Sequence, residues 1–324
     1  MNPFPSYLLA AAALCGLLSL PAAAQNYPNK PIRIVIPTAA GGAIDTIIQQ
    51  VGPRLTEAWG QPIVMDHRPG ATQMIGTQYA AKAAPDGYTL VTCNSTPFSN
   101  NLALFPNVPY DPVKDFAAIT PAVTYPNVLV VHPSLQINTL AELIALAKTK
   151  PGSINYASAG TASSSHISGE LLNLMAGVKL VHVPYKGNSL AVNDLLGGQV
   201  QIMFSNIGPA LPFLKTGRLK ALGVTSPKRS AALPDVPTLA EAGLPGFEII
   251  PWVGFCAPAG TPKDIVTKLN TEIVRILKLP DVQAVLQAQG ADITTMSPAE
   301  MDVYIKRDMA KWAQIIKAAN IKAN

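Results

Sequence analysis

Short β-branched runs and helical periods alternate along most of this chain. The run "IRIVIP" (32–37) has strand length, and Ile44, Ile47, Ile48, Val51 and Leu55 behind it recur at helical spacing, which predicts a buried strand leading into an amphipathic helix. "PIVMDH" and "YTLVTC" read as further strands, with a helix around Gln73–Ala83 between them. The stretch "AAITPAVTYPNVLVVHP" holds two strand-like runs with no helix between them, and it predicts a crossing from one lobe to another.

A second alternating series follows. Thr139-Leu-Ala-Glu142 has the form of a capping box and opens a helix. "INYAS", "LVHVPY", "QIMFSN" and "LKALGVTS" read as strands with helical stretches between them, and "FEIIPWVGFCAP" predicts the return crossing. Thr261-Pro262 opens a helix with proline in its first turn, and Ser297-Pro298-Ala299-Glu300 caps the last one. Alternation of this kind implies an α/β fold of two lobes, each a parallel or mixed sheet flanked by helices, joined by a hinge. The expected division is residues 25–125 plus 249–324 for the first lobe and 126–248 for the second.

Composition adds a compartment. The opening "MNPFPSYLLAAAALCGLLSLPAAAQ" is an apolar run closed by Pro21 and three alanines, which reads as a secretory signal (1–24) removed before Gln25, with the periplasm as destination. No later segment has the length of about 18 apolar residues that a membrane span requires. Two cysteines would remain, Cys93 and Cys256, and their apolar, strand-like surroundings predict two buried free thiols. The net charge of +5 comes from scattered rather than clustered lysines and arginines, and aromatics are only 6%, so no nucleic-acid platform is expected. Mild basicity of this kind favours small anions by weak steering.

In sheets of this type ligands bind beyond the carboxyl ends of strands, where loops enter helices. Two such loops carry suitable chemistry. The first runs through Thr38, Ala39, Ala40, Gly41 and Gly42 to Asp45; its glycines let backbone approach a ligand, and a helix starting near Ala43 turns its free N–H groups toward it. Asp45 is open to two readings, a ligand contact or a partner for its own helix dipole. The second loop runs through Ala159, Gly160, Thr161, Ser163 and Ser164 to His166, with a helix start near Ser163–Ser165. Asn206, at the end of "QIMFSN", is a further candidate contact. Neither loop contains Lys or Arg, which suits a carboxylate held by dipoles and hydroxyls.

Other chemistries fit less well. "GTASSS" lacks the G-x-S-x-G of a hydrolase elbow, and His166 adjoins the serines in sequence where triad partners come from separate elements. Neither glycine loop continues into the Lys-Ser or Lys-Thr of a phosphate loop. His67, His132, His166 and His182 are far apart, without metal-ligand spacing, so neither metal nor cofactor is expected. An enzyme on a hinged α/β scaffold stays as the alternative function, since fold alone does not decide activity.

The segments "YPNKPIRIVIP", "RPGA...IG", "AKAAPDGYTL", "HVPYKG", "DLLGGQV", "LPDVPTLAEAGLPGFE" and "APAGTP" resemble the solute-binding receptors of tripartite tricarboxylate transporters, the Bug family. The protein is expected to be a monomer, and the resemblance implies a periplasmic receptor whose lobes close on a small carboxylate. It also implies delivery to a membrane complex of one large and one small integral subunit, and a ligand held between Thr38–Asp45 and Ala159–His166. The chain departs from the family where Thr38 replaces an aromatic residue and Ala40 a proline, and where Thr72, Gln73 and Met74 alter "RPGAGGNIG". The first two changes predict a roomier pocket suited to a bulkier or aromatic acid, unless Met74 or Trp252 fills the space.

Overall fold

The structure, a computed structural model, describes residues 27–322. The expected signal segment and its cleavage point lie outside the described residues. The first half of the described chain runs β1 (Ile32–Ile36), α1 (Ala43–Trp59), β2 (Ile63–His67), α2 (Met74–Ala81) and β3 (Thr89–Asn94). A π-helical turn (Thr96–Asn100) continues into α3 (Asn101–Leu104), and β4 (Phe116–Thr124) leads over a two-residue step to β5 (Asn127–Val131). Then come α4 (Leu140–Thr149), β6 (Asn155–Ser158), α5 (Ser164–Ala176), β7 (Val181–Pro184), α6 (Asn188–Leu196), β8 (Ile202–Asn206), α7 (Ile207–Lys215) and β9 (Lys220–Val224). After a long irregular return, β10 (Trp252–Pro258), α8 (Lys263–Leu277), α9 (Pro280–Ala288), β11 (Asp292–Ile293) and α10 (Pro298–Ala318) complete the chain.

Two mixed sheets result, one of six strands in the order β11-β4-β10-β3-β1-β2 and one of five in the order β7-β6-β8-β5-β9. β1 pairs in parallel with β2 and β3, and β6 with β7 and β8, while β10 runs antiparallel to β3 and β4, and β5 antiparallel to β8 and β9. The antiparallel strands are those that carry the chain between sheets. The crossings are bonded to each other: Tyr125 donates its N–H to the Pro251 carbonyl at 2.8 Å, and Asn127 N–H to Thr225 Oγ1 at 2.8 Å.

The helix faces follow from their periods. Ile44, Ile47, Ile48, Val51 and Leu55 of α1 are buried against the first sheet, as the spacing predicts. Both capping boxes form, at Thr139 with Glu142 and at Ser297 with Glu300. α10 has an unusual position. Its first turns bury Met301 and Ile305 with Trp252 beside the first sheet, whereas Trp312 and Ile316 enter the core of the second with Phe247 and Ile249.

The expectation of two free thiols is wrong. Cys93 and Cys256 form a disulfide between β3 and β10, with Cα atoms 6.0 Å apart. In the antiparallel register Cys93 lies opposite Gly254, so Cys256 is its diagonal neighbour on the same face. That proximity depends on the pairing of two strands 163 residues apart, and local composition carries no trace of it.

Candidate functional site at two helix starts

The first loop leaves β1 after Ile36 and enters α1 at Ala43. Residues 39–42 are exposed and Thr38 is half-buried. Gly42 stands at the cap position of α1 with no side-chain hydrogen bond, so the cap leaves the first helical N–H groups to water or a ligand. Gly41 adopts a φ of +89°, a left-handed conformation that Gly tolerates and most residues do not. Its N–H donates to Asp45 Oδ2, and Asp45 is buried at 5% exposure. Asp45 therefore braces the loop from below. α2 backs the loop tightly, because a Cβ on Gly76 would lie 2.7 Å from the Arg68 carbonyl and 3.0 Å from Pro37 Cα.

The second loop leaves β6 after Ser158 and enters α5 at Ser164, capped by Ser163, whose Oγ accepts the His166 N–H at 3.3 Å. Most of its polar groups are used to build the loop itself. Ala159 donates its N–H to Ser165 Oγ at 2.9 Å, Gly160 to Ser158 Oγ at 3.1 Å and Ala162 to His166 Nδ1 at 3.3 Å. Of the residues expected to touch a ligand here, Thr161 and Ser164 keep half-exposed hydroxyls. Ala159, Gly160 and Ser163 shape the turn.

His166 turns inward. It is 3% exposed and stacks on His182 with centroids 4.0 Å apart, and His182 in turn stacks on Tyr156 at 5.0 Å. The Tyr156 hydroxyl donates to Glu170, and its ring lies so close to Gly169 that a Cβ there would meet Cε2 at 2.2 Å. Ser158 Oγ completes the stack 2.6 Å from His182 Nε2. The Nδ1 of His166 accepts a backbone N–H, so that nitrogen is not free to act as a base for the neighbouring serines. Burial, reinforced by His166, pushes His182 down to about 3, and burial also lowers His166 against the opposing pull of Glu170.

This stack makes an acid-linked prediction. A histidine depressed in the folded state stabilises the protein above its unfolded value of about 6.5, and that stability is lost as pH falls toward the folded value. The melting temperature is expected to drop progressively as pH is lowered from about 6.5 toward 3, with a shallower slope in His182→Gln than in the native protein. Equal slopes in a differential scanning series would show that the stack is not the titrating element.

Three side chains that sequence reasoning did not select join the loops. Asn100 Nδ2 donates to the Ala162 carbonyl at 2.9 Å, Asn127 Nδ2 to Ser164 Oγ at 3.1 Å, and the Tyr125 hydroxyl to the Ala43 carbonyl at 3.3 Å. The Oδ1 atoms of Asn100 and Asn127 are buried without a hydrogen-bond partner. The only signal in the sequence is a polar residue beside the crossing for Tyr125 and Asn127, and one in a helical stretch for Asn100, which is too common to single out. Asn206 lies at the end of β8 with its N–H on Asn188 Oδ1 at 3.3 Å. Among the described residues no group of three or more His, Cys, Asp or Glu is arranged to hold a metal, and no helix is long and apolar enough to cross a membrane.

Comparison with known proteins agrees with this architecture. The family model described as "Tripartite tricarboxylate transporter family receptor" matches residues 47–321. Protein BugT of Bordetella pertussis is 35% identical over 306 residues, covering 94% of each chain. A solved R. palustris protein, Rpa4515 with adipate, is 34% identical with a TM-score of 0.87 over 91% of this chain and 99% of its own. MatC (Rpa3494) from Rhodopseudomonas palustris, with bound malate, is 32% identical with a TM-score of 0.82 over 90% of this chain and 100% of its own. With a family match across most of the chain and the same two-sheet fold in its solved relatives, this protein belongs to the tripartite tricarboxylate transporter receptors, the Bug-type solute-binding proteins.

Proposed function

We propose that the protein captures a small organic carboxylate between its two helix-start loops and hands it to a membrane transporter of one large and one small integral subunit. The observation that carries this reading is the chemistry the two loops share. Both start a helix, neither holds a Lys or Arg, and the second loop is bonded to Asn100 of the helical turn after β3 and to Asn127 at the crossing. A carboxylate there would be held by N–H groups, helix dipoles and the hydroxyls of Thr161 and Ser164. The adipate and malate held by Rpa4515 and MatC support an acid of dicarboxylate size. The family's periplasmic setting supports capture outside the cytoplasm, with the protein acting as a monomer.

The preference for a bulkier acid has support as well. Trp252 is fully buried, with its indole N–H bonded to Asp308, and half-buried Met74 packs against the same cluster. Trp252 is therefore not free to replace the wall that a larger residue at Thr38 would make. The test is a melting series with adipate, malate, succinate, benzoate and phthalate. An acid at roughly a hundredfold its dissociation constant should add about 2.7 kcal/mol of stability and raise the melting temperature by several degrees. No shift with any of a broad panel of acids would overturn the receptor reading, and shifts confined to the smallest acids would overturn the roomy pocket.

A further inference from the structure

His67 ends β2 beside β1, paired with Ile36, and its ring reaches the first loop. Its Nδ1 lies 3.0 Å from the Thr38 carbonyl. A carbonyl oxygen only accepts, so Nδ1 carries a proton in this contact. Its Nε2 lies 3.6 Å from Asp45 Oδ1, an oxygen that is buried and has no hydrogen-bond partner. A neutral ring with its proton on Nδ1 turns a lone pair toward that carboxylate. An imidazolium donates toward both acceptors. The side chains of the pair are 24% and 7% exposed, so solvent screens their interaction only in part.

The charged groups around the ring are few. Asp45 of α1 is the carboxylate facing it. Asp66, adjacent in β2, projects to the other face of the sheet and is held by Arg33 of β1 at 3.1 Å and by Arg68 at 2.9 Å. The Arg68 guanidinium lies over the Tyr79 ring of α2, 3.6 Å from its centroid. Asp45 thus carries a buried charge directly beneath the loop that is to receive an anion.

We propose that His67 is a positioning residue for ligand binding: its protonated ring ties Thr38 to Asp45 and neutralises the Asp45 charge, so the first loop receives an anionic ligand best when His67 is protonated. This rests on the reading of that loop as half of a carboxylate cradle. By linkage, binding takes up a proton and affinity falls as pH rises. The sign is opposite to the acid sensitivity of the His166–His182 stack, whose rings burial keeps neutral. His132 sits beyond the end of β5 remote from the crossing, bonded to Ser134.

The experiment combines ring-nitrogen NMR with calorimetric titration of adipate and malate at about pH 6 and about pH 8, which bracket the usual range of histidine. At the lower pH the His67 ring of the native protein should carry N–H on both nitrogens, and Asp45→Asn should reduce that signal. Affinity should be roughly fivefold higher at the lower pH, the lower end of typical coupling factors. His67→Asn keeps a donor for Thr38 and should bind with little dependence on pH. A ring population unchanged by Asp45→Asn, or the native pH dependence persisting in His67→Asn, overturns the proposal. If neither these acids nor a wider panel binds at either pH, the cradle reading fails instead, and the ring signal, which needs no ligand, keeps the two failures apart.

Discussion

Replacing Asp308 with alanine should cost about 3–5 kcal/mol of stability, among the largest effects of any single substitution in this protein. The carboxylate is 7% exposed and accepts from Ser99 Oγ at 2.6 Å, from Trp252 Nε1 at 2.8 Å and from Trp312 Nε1 at 3.0 Å. Burial pushes its carboxyl above the ordinary range, and the three hydrogen bonds pull it part of the way back. Alanine removes one acceptor group and strands three buried donors, and a stranded donor costs more than the net worth of the bond it made. The three donors belong to the helical stretch after β3, to β10 and to α10. Because Trp312 also lies in the core of the second sheet, Asp308 secures α10 where it passes from one lobe to the other. Urea unfolding of Asp308→Ala and Asp308→Asn measures this, with the asparagine variant intermediate because its amide keeps one acceptor oxygen. A loss under about 1 kcal/mol in the alanine variant would show that water or repacking replaces the carboxylate.

The second large effect is expected at Gly41, with its neighbour as the control. Gly41→Val should weaken ligand binding by roughly tenfold to a hundredfold, equivalent to the 1–3 kcal/mol that a residue forced into a sparsely populated conformation costs. The cause is backbone rather than crowding, since a Cβ at Gly41 would meet nothing within 4 Å while its φ is +89°. A β-branched residue there would turn the loop and withdraw the N–H that Asp45 holds. Gly42 has an ordinary φ of −91° and equally open surroundings, so Gly42→Ala should bind nearly as the native protein does. Calorimetric titration with the strongest acid from the melting series compares the two. Equal losses at both positions would mean that the loop responds to bulk and not to backbone conformation.

The elements that carry the two loops were legible before the structure because their parts are local. A β-branched run, two glycines and an isoleucine period place a strand, a turn and a helix start within about twenty residues of "IRIVIPTAAGGAIDTII", and each step depends on near neighbours alone. The same holds for the helix start near Ser163–Ser165, which follows from the apolar helical period behind it; that Ser163 caps this helix is seen only in the structure. Not legible was which polar groups of the second loop remain for a ligand. Ala159, Gly160 and Ala162 spend their N–H groups on Ser165, Ser158 and His166, and those bonds depend on how the turn closes.

The sequence by itself determined the alternation of strands and helices, the two loops and the absence of basic side chains from them, because side-chain period, capping and glycine conformation act over a few residues. Only the tertiary structure decided the long-range pairs. Cys93 meets Cys256 because β10 returns antiparallel beside β3, and His166 meets His182 because β7 lies parallel beside β6. Asp308 finds two tryptophans 56 and 4 residues away, and His67 finds Thr38 and Asp45 across a parallel strand pair. Such partners are chosen by which strands lie side by side, a property of the whole packed chain that no local pattern of residues encodes.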